Sequence, residues 1–95
     1  MKKNEISLVF DHTLSNLAGY NFGIKVYNEQ VKDKLNISED FTIIFPDTII
    51  GVAASFVQGL FSNIIEKLGL LSTKNKVSIV ALDDKLAESI KKKID

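Results

Sequence analysis

Few side chains in this sequence can do nucleophilic or metal chemistry. It holds one histidine, His12, and no cysteine. The only nucleophile–base–acid set worth constructing is Ser55 with His12 as base and Asp11 or Asp47 as orienter. Ser55 lies in Ala53-Ala54-Ser55-Phe56-Val57, which lacks the Gly-x-Ser-x-Gly elbow that presents a catalytic serine on a strand-to-helix turn. A lone histidine in a polar loop is ordinarily solvated. No catalytic role is expected. Without cysteine there are no disulfides or thiolate metal sites, and one histidine with no second ligand four residues away makes no metal motif. Gly19, Gly23 and Gly51 form neither Gly-x-Gly-x-x-Gly nor a phosphate-binding loop, so no cofactor is expected.

Ser55 is open to a second kind of chemistry. Phe56, Val57, Leu60, Phe61, Ile64, Ile65 and Leu68 form an apolar stripe at helical spacing, predicting a helix from near Ala53 to Leu68 with Gly69 as C-terminal cap. Ser55 then falls in the first turn, where unpaired N–H groups and the helix dipole favour negative charge. A phosphate on its hydroxyl, or a bound anion, would be stabilised there. The plainer reading is that Ser55 caps the helix or satisfies a backbone group. Gly59 interrupts the same helix at a cost of about 1 kcal/mol relative to alanine. Close packing against the sheet or another helix explains it more simply than a smooth patch at a partner interface. The run Lys91–Lys93 reads as a solvated helix end.

The remaining elements follow from periodicity. Ile6, Leu8 and Phe10 alternate with Ser7 and Val9, predicting a half-buried strand. Asp11 to Tyr20 reads as a polar loop. From about Gly23, the spacing of Ile24, Tyr27, Val31 and Leu35 predicts an amphipathic helix ended by Asn36. Phe41–Phe45 is β-prone and nearly all apolar, as in a central, parallel strand covered on both faces, and Pro46 stops it. Val77–Leu82 is a third strand. Asp83 or Asp84 caps a last helix carrying Leu86, Ile90 and Ile94.

The order strand–helix, three times over, predicts parallel strands joined by helical crossovers. Ninety-five residues make one domain, residues 1–95, with a modest core. Twelve basic and twelve acidic side chains cancel, which argues against a dedicated nucleic-acid binder. No apolar run is long enough for a membrane span, and Met1-Lys2-Lys3-Asn4-Glu5 leads into a strand rather than a secretory signal. A cytoplasmic protein is expected.

Phe41-Thr42-Ile43-Ile44-Phe45, the loop to Gly51-Val52, and Ala53-Ala54-Ser55-Phe56-Val57-Gln58-Gly59-Leu60-Phe61 together resemble the STAS-like domains of unknown function (the DUF4325 family). These are related to the STAS domains of bacterial anti-sigma-factor antagonists. The helix from Gly23 to Leu35 and the strand–helix from Val77 to Ile94 match in order and length. The resemblance thus covers roughly residues 19–95.

It implies a single STAS-like α/β domain with a small, mixed or mostly parallel sheet and helices packed on it. It also implies a non-catalytic regulatory module that binds a protein, with a kinase-type ATPase as the partner class. Ser55 falls at or next to the serine that such a kinase phosphorylates. The candidate partner-binding or phospho-switch residues are Gly51, Ala53, Ala54, Ser55, Gln58 and Gly59. The alternative is a small-ligand or anion-binding domain using the N-terminus of the Ala53–Leu68 helix. A homodimer is compatible with either. The expected sheet has Phe41–Phe45 between Ile6–Phe10 and Val77–Leu82, with Ile43, Phe61 and Ile64 in the core.

Overall fold

Phe41-Thr42-Ile43-Ile44 combines aromatic and β-branched side chains, which pack well on a pleated surface. In the computed structural model, which describes residues 4–94, it forms β3, the middle strand of a three-stranded parallel sheet. β1 (Glu5–Ser7) and β5 (Val77–Val80) flank it, and the register sets Ile6 beside Ile43 and Ile43 beside Ile79. The domain is α/β with a small parallel sheet and helices packed on it, as the pattern predicts. A second, two-stranded parallel ladder joins β2 (Asn16–Leu17) to β4 (Gly51–Val52). It lies in segments read from the sequence as loop, because two-residue strands are too short to show alternation.

Adjacent parallel strands taken in chain order, each joined by a right-handed crossover, place their connecting helices on one side of the sheet. That is what happens here. Helix α1 (Tyr20–Val26) packs directly on α2 (Ala54–Leu68), and α4 (Asp84–Lys92) adds Ile90, with Ile94 beyond its end, to the same core. Phe41, Ile43 and Phe45 point into this layer and are buried, whereas Thr42 and Ile44 on the other face are only half-buried. Ser78 and Val80 beside them are exposed. The expectation that Phe41–Phe45 is covered on both faces is therefore corrected: one face is open. Ile43, Phe61 and Ile64 are fully buried, as expected.

Several boundaries differ from the periodicity. β1 ends at Ser7, although the in–out alternation continues: the Leu8 N–H still donates to the Ile44 carbonyl (2.8 Å), Leu8 is buried and Phe10 is half-buried. The first helix starts at Tyr20, not Gly23, widens into a π-helical turn over Tyr27–Val31, and stops well before Asn36. The wider turn lets the Lys32 N–H reach the Tyr27 carbonyl (2.8 Å), and Asp33, at φ 65°, then reverses the chain through the left-handed region. Leu35 is half-buried by the loop, outside any helix.

The Ala53–Leu68 prediction is met by α2, with Ala53 as N-cap and Gly69, at φ 85°, as C-cap. A short helix, α3 (Leu70–Lys76), follows where no element had been assigned. β5 ends at Val80 and not at Leu82, which is 47% exposed. Asp83 caps α4, its Oδ1 accepting from the Leu86 N–H at 2.8 Å. The lysine run is only partly a solvated helix end, because the Lys93 ammonium reaches back to donate to the Val52 carbonyl at 2.7 Å.

Tyr27 carries a pH dependence. Burial raises its pKa above the ordinary 10.0, the nearby Asp33 carboxylate raises it further, and Lys32 opposes them. A folded-state pKa above the unfolded one contributes stability that is present below the unfolded value and lost as pH rises towards the folded value. Thermal melts should therefore show Tm falling above about pH 10, with a shallower fall in Tyr27→Phe. Parallel curves for the two proteins would contradict this.

Candidate functional site

The segment entering α2 is fixed from several sides. The β2–β4 ladder pairs Asn16 with Gly51 and Leu17 with Val52. The Ser15 carbonyl accepts from the N–H groups of Ile50 (2.8 Å) and Gly51 (3.3 Å), and the Leu17 carbonyl accepts from Ala53 (2.8 Å). On the other side stands the Lys93–Val52 bond described above. Gly51 is half-buried, and a Cβ there would meet the Asn16 side-chain oxygen.

Ala53 offers no side-chain cap to α2. Ser55, exposed in the first turn, instead accepts a 3.0 Å hydrogen bond at Oγ from the Gly19 N–H. Gly19 stands at the start of α1, so this bond ties the starts of two helices together. The Tyr20 hydroxyl and Ser62 Oγ, 3.1 Å apart, make a second tie between the same helices. Ser55 thus satisfies a backbone group, though one outside its own helix. Gly59, one turn further on, is buried: a Cβ there would overlap the Tyr20 carbonyl oxygen, just as one on Gly23 would overlap the Phe56 carbonyl. It is a helix-packing residue and belongs to no surface.

Of the six candidate residues, the structure therefore gathers Ala53, Ala54, Ser55 and Gln58 on one exposed patch, with Gly51 at its half-buried margin and Gly59 beneath it. His12 is not brought to Ser55. Its side chain is 92% exposed, its Nδ1 is 3.9 Å from Asp11 Oδ1, and among the described residues no hydrogen bond joins it to Ser55. The Asp11 carboxylate is engaged elsewhere. Its Oδ1 accepts from both the N–H (2.9 Å) and the hydroxyl (2.8 Å) of Thr13, and these two bonds lower its pKa.

The feature that single-residue reasoning missed is the charge distribution. Residues 13–24 and 48–65 contain no Asp, Glu, Lys, Arg or His, in a chain that is 25% charged. Pairing of β2 with β4 and packing of α1 on α2 bring these two runs together. Their exposed members include Ala18, Tyr20, Asn21, Ile50, Ala53, Ala54, Ser55 and Gln58. The signal is present in the sequence as two charge-free runs, but only the fold shows that they adjoin.

No family model, curated protein or solved structure matches this chain. No helix among the described residues is long and apolar enough to cross a membrane.

Proposed function

We propose that this chain is a non-catalytic regulatory domain of the cytoplasm that binds a protein partner through the charge-free face around the start of α2. One observation carries the reading: two charge-free runs, residues 13–24 and 48–65, meet at the start of α2, with charged side chains (Lys93 at the Val52 carbonyl, Asp83 and Lys85 beside Ile50) only along the margin formed by α4. Depletion of charge at the centre of a patch is the compositional mark of protein–protein interfaces, because a charge buried by association loses hydration. The alternative of a small anion at the same helix start is less well supported, since neither run supplies a lysine or arginine and the nearby Lys93 ammonium is bonded to the Val52 carbonyl.

The likeness to STAS antagonists points to a kinase-type ATPase as the partner and to Ser55 as a switch. The physics agrees with the direction. A phosphate on Ser55 would place roughly two negative charges in an otherwise uncharged contact. Ser55→Asp should therefore weaken binding to such an ATPase by about 1–2 kcal/mol, roughly five- to thirtyfold. Its carboxylate can still accept from Gly19 and is favoured by the helix dipole, so the fold should hold. Ser55→Ala should bind like the unaltered protein but lose about 1 kcal/mol of stability, because it orphans the Gly19 N–H. Equal affinity in all three folded proteins, measured by calorimetry, would refute the switch.

A further inference from the structure

The margin of the charge-free face towards α4 has a composition of its own. Ile50 is 62% exposed and Leu82 47%, and with Leu86 they line a groove of about 300 Å³ at the start of α4. Asp83, Lys85 and Ser89 complete its walls. Asp83 is already engaged, since its Oδ1 accepts from the Leu86 N–H. Lys85 and Ser89 also line a second groove, which continues along the helix past Lys92 and Lys93. Among the described residues that line it, three lysines stand against one acid, Glu88, so this groove is basic. No hydrogen bond or ion pair with another described residue occupies the ammonium of Lys85 or Lys92. Lys93 gives one N–H to the Val52 carbonyl and keeps its other donors. Lys85 and Lys92 lie about two turns apart on α4, roughly 10 Å along its axis.

We propose that this margin receives an acidic segment of the partner protein. A large apolar side chain of that segment enters between Ile50, Leu82 and Leu86, and carboxylates next to it in the partner chain pair with Lys85 and Lys92. The assignment rests on the charge-free face being the docking surface, and it names the chemistry of the partner at the rim of that face.

Charge selects the occupant. The apolar groove includes Ile50, which belongs to the charge-free face, so one partner covers both without a break. Interfaces carry their charges at the rim, where complementary charge sets partner choice and encounter rate more than affinity. A basic rim therefore fits an acidic partner. Such a partner would also be repelled by a phosphate on Ser55, in the direction already expected of the switch. An anionic membrane fits less well. Segments that hold anionic lipids use roughly four to eight clustered basic residues, and here two free ammonium groups stand beside one tethered to Val52. Asp84 and Glu88, which line a groove on the next flank of α4, would repel a broad anionic surface. A single segment confined to the Lys85–Lys92 side passes only Glu88.

Selection from a displayed library of random peptides, with the whole chain as bait, tests this. Sequences that combine a large apolar residue with adjacent aspartates or glutamates should be enriched. Calorimetry with a selected peptide should show binding that weakens with salt and falls about tenfold in Lys85→Glu combined with Lys92→Glu. Leu82→Ser should weaken binding while leaving its salt dependence unchanged. All three positions are exposed, so the variants should fold, which circular dichroism checks. Amide chemical shifts should change at Ile50 and through the 82–93 segment. Selected peptides without acidic residues, or an affinity unchanged in the folded double variant, overturn the proposal. Shifts confined to 13–24 and 51–65 overturn it too, while leaving the charge-free face as the docking surface. Pelleting of the chain with phosphatidylserine vesicles, abolished in the double variant, would assign the groove to a membrane instead.

Discussion

Replacing Gly59 by alanine is expected to destabilise the domain by about 3 kcal/mol, the upper end of ordinary overpacking. The sign is what makes the result diagnostic. At an exposed helical position the same change stabilises by up to about 1 kcal/mol, because alanine is the better helix former. Here the new Cβ would run into the Tyr20 carbonyl oxygen, a backbone atom that no rotamer change can move aside. Gly23 makes the reciprocal approach to the backbone of Phe56 and Leu60. The two helices must separate to admit either methyl group, and the starts of α1 and α2 would lose their alignment. Urea unfolding of Gly59→Ala measures the change. A midpoint equal to or above that of the unaltered protein would show that the helices do not cross this closely.

The second large effect is expected at Phe56. Its ring is fully buried, with centroids 5.4 Å from Phe22 and 6.3 Å from Phe10. Truncation to alanine leaves a cavity beneath the start of α2 and removes both ring contacts, at a cost of about 3–5 kcal/mol. A chain of this length has about 5–14 kcal/mol of total stability, so a large share of it would be lost. Phe56→Leu should recover much of the difference, and a loss below 1 kcal/mol in Phe56→Ala would contradict the burial.

The sequence disclosed those parts of the fold whose pattern repeats. The α2 stripe, the β3 run and the Asp83 cap each rest on several residues agreeing, and each was placed to within a residue or two. Where one or two residues decide an outcome, pattern was silent. Nothing in the spacing of Tyr27 and Val31 distinguishes a π-helical turn from an α-helical one, because both bury the same side chains. β2 and β4 are held by Ser15 and Leu17 carbonyls that any residue type supplies. The apolar Ile44 suggests a strand covered on both faces, yet consecutive crossovers of one hand leave its side of the sheet uncovered.

The candidate site divides in the same way. Ser55 was located from its place in α2, but its partner, the Gly19 N–H, lies 36 residues away in sequence. Gly59 was explained correctly by close packing, with α1 as the neighbour.

The central claim is that the charge-free face is where the partner docks. Backbone hydrogen exchange, followed with and without a kinase-type ATPase, tests it most directly. The account predicts slowed exchange in the 15–21 and 50–58 segments, with β3 and β5 unchanged. Protection confined to other elements, with both segments exchanging as in the free protein, would contradict it.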